Sequence, residues 1–334
     1  MESRRAVGII STGRALPVGH VSNLDLEEVV ETSDQWITSR TGIKERRIIS
    51  NDETCSELAT IASKIALERA GLRPEDIDLL IVATVTPDQP LPSTACLVQA
   101  KLNACNAAAF DLAAGCTGFL YGLSVAEQYI KAGALKNVLL VGVDTLSSLV
   151  DWQDRNTCVL FGDGAGAVVL TTVKSERGLL ASKLFSDGHK AGLLYVPGGG
   201  SRFPASLRTI EERLHYIKMN GPEIFKFAVN VMIDSTLQVL KMCGKTPDDL
   251  DYLLPHQANL RIINFAVKRL GLKPEQVLVN IHRYGNTSSA SIPVLLDEAV
   301  EQGKIKEGDL LALVSFGAGL TWGAAVLNWV GEEW

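Results

Sequence analysis

The sequence predicts an α/β fold built from two similar strand–helix halves, and three observations predict it. Apolar runs of strand length, such as 77–84 and 138–143, alternate with amphipathic helical stretches, such as 54–70 and 223–243. The segment Gly71-Leu-Arg-Pro-Glu-Asp-Ile-Asp-Leu-Leu80 returns as Gly244-Lys-Thr-Pro-Asp-Asp-Leu-Asp-Tyr-Leu253, displaced by 173 positions, each copy behind an amphipathic helix. Near the same displacement, 137–143 recurs in form as 309–315, and 162–170 as 317–327. A period this long is not that of a solenoid. It reads as one domain present twice, as halves 1–176 and 177–334. A cleft between two such halves is the natural place for a site.

Taken in order, Val7–Ile10 is a short strand, followed by a loop marked by Gly and Pro. Asn23 is placed to cap a helix from Leu24, and Ser33 and Asp34 carry helix-start chemistry. Lys44 to Arg47 reads as a charged loop. Thr54 to Ala70 is an amphipathic helix closed by Gly71. Ile77–Thr84 is a buried strand; Pro87, Pro90 and Pro92 stiffen the loop after it, and Ser93 caps the next helix.

Ala107 to Leu112 reads as a further buried strand. From Phe119 the apolar residues fall at helical spacing, through Leu120, Leu123, Ala126 and Ile130, with Gly133 as the stop. Cys116 therefore sits where a strand turns into a helix, flanked by Gly115 and Gly118, which leave room for a tight turn. Free backbone N–H groups and the helix dipole at such a junction favour a thiolate, so a thiol pKa below the usual value of about 8.5 is expected. That makes Cys116 the candidate nucleophile. Val138–Val143 is the next strand. The glycines of Gly162-Asp-Gly-Ala-Gly166 lead into a strand rather than a helix, so they signal close packing, not a phosphate cradle.

Composition narrows the function. With 334 residues, 21% charged and a net charge of −6, the chain shows no basic block, which excludes an evident nucleic-acid binder. No apolar run is long enough to span a membrane. Six cysteines without Cys-x-x-Cys pairs or zinc-spaced histidines point to reduced thiols, no metal and a cytoplasmic location. The start of the chain lacks the apolar core of a signal peptide.

Three features of the second half could complete a cysteine site. His256 follows a buried strand at its carboxyl end, in Leu254-Pro-His-Gln-Ala-Asn-Leu-Arg261, where sites gather in α/β sheets. Asn286 lies in a polar turn before the helix 291–302. Phe316-Gly-Ala-Gly-Leu-Thr-Trp-Gly323 is a Gly-rich turn between two apolar strands. A thiolate, two neutral donors and backbone N–H groups suit acyl transfer from a thioester. His20, His189, His215 and His282 compete for the histidine role, and a Cys/His pair alone would also fit a thiol protease, whose local motif is absent.

Together, Gly115-Cys-Thr-Gly118, Pro255-His-Gln-Ala-Asn259, Tyr284-Gly-Asn-Thr-Ser288, Phe316–Gly323, Ser33-Asp-Gln-Trp-Ile37, Arg40-Thr-Gly-Ile43 and Phe161–Gly166 resemble β-ketoacyl-acyl-carrier-protein synthase III. The motifs run in the family's order over essentially the whole chain. The resemblance implies the thiolase-like fold, duplicated halves in five layers (αβαβα), and a homodimer. It implies a triad of Cys116, His256 and Asn286, with oxyanion N–H groups from Cys116 and Ala318, where the family often has Gly. It implies coenzyme A contacts at Thr32, Trp36, Arg40, Arg155, Gly221, Phe225 and Asn259, with Trp36 and Arg155 sandwiching the adenine. Lys226, Arg261, Lys268 and Arg269 would receive an acidic carrier protein. Leu91 would enter the partner's primer pocket. The implied activity is decarboxylative condensation of acetyl-CoA or another short acyl-CoA with malonyl-acyl carrier protein. It needs no resident cofactor and starts fatty-acid synthesis. A related enzyme of secondary metabolism and a non-catalytic dimeric binding protein are the alternatives.

Overall fold

The structure, a computed structural model, describes residues 5–50, 53–174 and 177–331. The N-terminal residues 1–4 and the expected boundary at 176 lie outside the described residues.

Two sheets carry the fold. The elements of the first run β1 (Ala6–Ala15), α1 (Asp34–Thr41), α2 (Cys55–Ala70), β2 (Leu79–Ala83), α3 (Thr94–Leu102), β3 (Ala108–Leu112), α4 (Gly118–Lys131), β4 (Val138–Thr145) and β5 (Asp163–Val173). Those of the second are β6 (Gly178–Ser186), α5 (Gly221–Met242), β7 (Tyr252–Pro255), α6 (Leu260–Leu270), α7 (Ser291–Glu301), β8 (Leu310–Gly317) and β9 (Thr321–Asn328). The first sheet has the order β1-β5-β4-β2-β3 and the second β6-β9-β8-β7. Pair by pair the directions agree: β1–β5 and β6–β9 are antiparallel, as are β4–β5 and β8–β9, while β2–β4 and β7–β8 are parallel. Both β1 and β6 carry a register shift. The counterpart of β3 is a single parallel bridge from Val277 to Leu253.

The layering follows from which helices are apolar on one side and which on two. Helices α2 and α3 cover the outer face of the first sheet, and α5 and α6 that of the second. Helices α4 and α7 touch strands of both sheets and form the middle layer. A helix with apolar neighbours all round belongs in such a place: nearly every residue of α7 is buried. Gly122 in α4 has no room for a side chain, since a Cβ there would lie 2.4 Å from Leu140 Cδ1.

Several local expectations are met. Thr54 caps α2 in a capping box, Gly71 closes it with φ +63°, Ser33 caps α1 and Ser93 caps α3. Gly162 and Gly166 are packing glycines, whose Cβ atoms would meet Tyr284 O at 2.3 Å and the Pro293 backbone at 2.7 Å.

Others are corrected. The first strand continues to Ala15. Ser22, not Asn23, caps the short helix Asn23–Glu27; the Asn23 amide instead donates to Asp34 and to the Ile43 carbonyl. The charged stretch 44–47 is no loop, because Glu45–Arg47 pairs with His20–Ser22. Arg46 is fully buried and donates to the carbonyls of Val21 and Val159 and to Asn23 Oδ1. Finally, β3 is an edge strand paired on one side only, and none of its residues is fully buried.

Candidate active site

Chain direction reverses sharply after β3. Gly115–Thr117 forms one tight turn and α4 begins at once. Gly115 has φ +56°, a conformation that favours glycine. The β8–β9 hairpin clamps this turn. A Cβ on Gly317 would lie 2.6 Å from Cys116 N, and one on Gly115 would lie 2.9 Å from both Ala318 N and Ala318 O. Ser315 Oγ donates to Cys116 O at 2.7 Å, and Thr321 Oγ1 donates to Ala114 O at 2.8 Å. This close approach brings the N–H groups of Cys116 and Ala318 within hydrogen-bonding reach of the thiol.

The expected low thiol pKa is not found. Burial pushes the Cys116 thiol up to about 12, and hydrogen bonds from Ser288 and from the two backbone N–H groups offset this only in part. The turn supplies donors, but it also removes water, and desolvation of the charged form is the larger effect.

His256 follows β7, with its N–H bound to Val314 O at 2.8 Å. Its ring is buried, edge-on to Phe316, with Nδ1 2.7 Å from Ser291 Oγ. Burial with no counter-charge pushes its pKa down to about 3, so the imidazole is neutral. Asn286 is held through its backbone to Leu160 and Gly162, and its Oδ1 accepts from Ser288 N at 2.9 Å. That leaves the amide NH₂ as its donor end.

Cys116, His256 and Asn286 line one cavity of about 110 Å³, together with Gly221, Phe225 and Asn259. Cys116 also lines a second, apolar cavity of about 250 Å³, walled by Val85, Leu146, Leu149, Val196 and Ile217 and bordered by Ser288 and Ala318. Sequence reasoning missed these wall residues, which come from four separate segments with no shared motif, and gave Ser288 no role although it ends the Tyr284–Ser288 motif.

A third hollow, of about 450 Å³, joins Trp36 to Gly221 through Asn156 and Met219. The two residues expected to sandwich an adenine touch each other: the Arg155 guanidinium lies 4.9 Å from the Trp36 ring centroid, and Arg40 lies 5.7 Å from it. Thr32 lines none of these hollows, and its Oγ1 is buried with no hydrogen-bond partner. Asn259 caps α6 and donates to Arg40 O at 3.1 Å, tying the two halves together at this mouth.

Lys226, Arg261, Lys268 and Arg269 are exposed on α5 and α6 around the half-exposed Phe265, and Arg261 rests over Phe225. Leu91 is 85% exposed and lines neither cavity at Cys116. His20, His189, His215 and His282 line neither of them. Among the described residues no helix is long and apolar enough to cross a membrane.

A family described as 3-oxoacyl-[acyl-carrier-protein (ACP)] synthase III matches residues 110–188, and its C-terminal counterpart matches residues 240–329. A β-ketoacyl-[acyl-carrier-protein] synthase III of Caldanaerobacter subterraneus subsp. tengcongensis is 57% identical over 324 residues, covering 97% of this chain and 98% of that one. The chain belongs to the 3-oxoacyl-[acyl-carrier-protein] synthase III family. A solved synthase III from Aquifex aeolicus VF5 is 48% identical with a TM-score of 0.91, covering 97% of this chain and 100% of that one. The priming β-ketosynthase of the R1128 polyketide pathway is 33% identical with a TM-score of 0.92, covering 99% and 98%. As a synthase III family member the chain is a condensing acyltransferase with a thiolase-like fold.

Proposed function

We propose that the protein condenses a short acyl-CoA with malonyl-acyl carrier protein, giving a 3-ketoacyl-carrier protein that starts fatty-acid synthesis. The observation that carries this reading is the single cavity lined by Cys116, His256 and Asn286. In loading, the Cys116 thiolate attacks the thioester carbonyl carbon, a new C–S bond forms, and coenzyme A leaves as its thiolate. The N–H groups of Cys116 and Ala318 serve the tetrahedral oxyanion. In condensation, malonyl thioester loses CO₂, and the enolate oxygen takes hydrogen bonds from His256 Nε2 and the Asn286 amide. The enolate carbon then attacks acyl-Cys116 and the thiolate leaves. Coenzyme A is a substrate carrier here, and no resident cofactor takes part.

The remaining roles rest on position. For coenzyme A, Trp36 with Arg40 and Arg155 against its ring would hold the mouth, Gly221, Phe225 and Asn259 would line the way to Cys116, and Thr32 would offer its unpartnered hydroxyl. Lys226, Arg261, Lys268 and Arg269 offer positive charge to an acidic carrier protein. The half-open edge strand β3 and the exposed Leu91 suit a homodimer in which Leu91 reaches the partner's primer pocket. The halves 1–176 and 177–334 then act as one catalytic unit, in the cytoplasm.

The test is mass spectrometry after incubation with acetyl-CoA. One acetyl group on Cys116, absent from Cys116→Ala, is expected, followed by CO₂ release and 3-ketoacyl product when malonyl-carrier protein is added. An acyl-enzyme that never releases CO₂ would instead indicate simple acyl transfer, and no adduct would indicate a binding protein.

A further inference from the structure

Ser288 borders the apolar cavity at Cys116, while His256 lines the other cavity there. It is buried, and its backbone has φ +52°, an uncommon conformation for a residue with a side chain. Its side chain also bears on the Asp144 carboxylate, and two hydrogen bonds join it to the site. Its N–H donates to Asn286 Oδ1 at 2.9 Å, and its hydroxyl donates to Cys116 Sγ at 3.5 Å, within the longer range of sulfur.

The turn that holds this geometry is pinned by a buried carboxylate. Asp144 Oδ2 accepts from the N–H and hydroxyl of Ser289 at 3.0 and 2.7 Å. Its Oδ1 accepts from Val85 N at 2.7 Å and from the hydroxyls of Thr84 and Thr86 at 3.1 and 3.2 Å. Asp144 is thus saturated with donors from both sides of the first sheet's end, and the backbone beside Ser289 is fixed.

A buried thiolate needs donors or a cation. Two titratable groups face Cys116: Asp144, which disfavours negative charge on sulfur, and His256, which is neutral and supplies no positive charge. The backbone N–H groups of Cys116 and Ala318 help, and the Ser288 hydroxyl is the largest favourable influence on the thiolate. A hydrogen bond to a charged group is worth roughly twice a neutral one.

We propose that Ser288 is a catalytic donor for the loading half-reaction, its hydroxyl holding the Cys116 thiolate while Asp144 acts as the positioning residue for the turn. The proposal rests on the reading of Cys116 as the nucleophile. The role is confined to steps in which sulfur carries charge. Once Cys116 is acylated, decarboxylation proceeds at His256 and Asn286. Ser288 thereby serves the steps in which the thiolate forms or leaves, and the His–Asn pair serves decarboxylation.

The experiment uses the full-length enzyme with Ser288→Ala and Ser288→Gly. Both delete the hydroxyl and keep the N–H that orients Asn286, and glycine also suits the positive φ. Three quantities are read: the pH midpoint of Cys116 alkylation by iodoacetamide, single-turnover acetyl transfer from acetyl-CoA, and CO₂ release from malonyl-carrier protein per acylated enzyme. In both variants the midpoint is expected to move alkaline by about one unit, and loading at pH 7 to slow about tenfold. CO₂ release is expected to stay within about twofold of wild type, because the oxyanion donors at that step are untouched. Unmoved midpoints in both variants would overturn the proposal. Equal loss of loading and CO₂ release would also overturn it, making Ser288 a structural support. Failure of the wild type itself to take an acyl group on Cys116 would overturn the nucleophile reading and this proposal together.

Discussion

The imidazole Nδ1 of His256 and the hydroxyl of Ser291 lie 2.7 Å apart. The same hydroxyl receives the N–H of Gln257 at 3.4 Å. A serine hydroxyl has one proton to give. Gln257 occupies one acceptor site of the hydroxyl and leaves its proton free for Nδ1; in that arrangement the ring carries its own proton on Nε2. A neutral histidine with Nε2–H is a hydrogen-bond donor, which is what a developing enolate requires and what a general base would not be.

The first prediction follows. Ser291→Ala leaves the buried ring free to take the other tautomer and to turn. CO₂ release from malonyl-carrier protein should fall by about tenfold, roughly the loss of one well-oriented hydrogen bond. Acetyl transfer to Cys116 should change little. Parallel single-turnover assays check it; a loss confined to loading would assign Ser291 to the thiol instead.

Replacing the donors themselves should be more severe. On the proposed roles, His256→Ala and Asn286→Ala each lose decarboxylation and condensation by about 10²–10³, the typical cost of one oxyanion donor. Both should still form acyl-Cys116. Burst labelling from acetyl-CoA beside CO₂ release separates the two steps. If labelling collapses as far as CO₂ release, His256 acts chiefly on the thiol.

Acid should act on the same imidazole through stability. In the unfolded chain His256 takes a proton near pH 6.5, but in the fold not until about 3. The unfolded state therefore binds more protons in this window, and stability rises with pH across it, by about 1.4 kcal/mol per unit for one such group. Asp163 opposes this. Burial pushes its carboxyl up to about 6, so between roughly 4 and 6 the folded state holds a proton that the unfolded state does not. In Asp163→Asn the opposing effect is gone, and the slope of unfolding free energy against pH between 4 and 6 should steepen. Denaturant melts at a series of pH values measure it; unchanged slopes would mean that Asp163 stays ionised in the fold.

What the sequence revealed and concealed divides along a physical line. The strand-to-helix turn at Cys116 was legible because it is written locally, in Gly115, Gly118 and the switch in spacing. The repeat was legible because Gly71 and Gly244 both close helices ahead of a strand. Arg46 was not legible. A charged run looks solvated, and burial here depends on a carbonyl 113 residues away, at Val159. The thiol pKa was misjudged for the same reason. Helix-start donors are local and visible, whereas the desolvation that outweighs them comes from packing of the opposite half. The second cavity was hidden because Val85, Leu146, Val196 and Ile217 are ordinary aliphatic residues whose convergence exists only in the fold. The edge position of β3 is likewise a property of sheet order, not of its apolar composition.

The mouth of the site yields the last prediction. The Arg155 guanidinium sits directly on Trp36 at 4.9 Å and is tethered through Nη1 to Glu31 O at 3.0 Å. An aromatic base between them needs contact on both faces, roughly 7 Å in all at about 3.5 Å per contact. The slot must therefore open, and Arg155, exposed and held by one hydrogen bond to the chain, is the side that can swing. Binding then exchanges one cation–π contact for two stacked ones, and the gain comes from Trp36, whose ring is held by the capped helix α1. Trp36→Ala should raise KM for the acyl-CoA about tenfold, with kcat nearly unchanged, because this contact is the same in ground and transition states. Arg155→Ala removes a lid as well as a wall, so its KM should rise less than that of Trp36→Ala. Neither variant should alter KM for malonyl-carrier protein, which the proposed adenine contact would not serve. Steady-state kinetics on both substrates decide it: equal losses for both would mean a folding defect, and a greater penalty for Arg155→Ala would place the binding energy on the guanidinium rather than the ring.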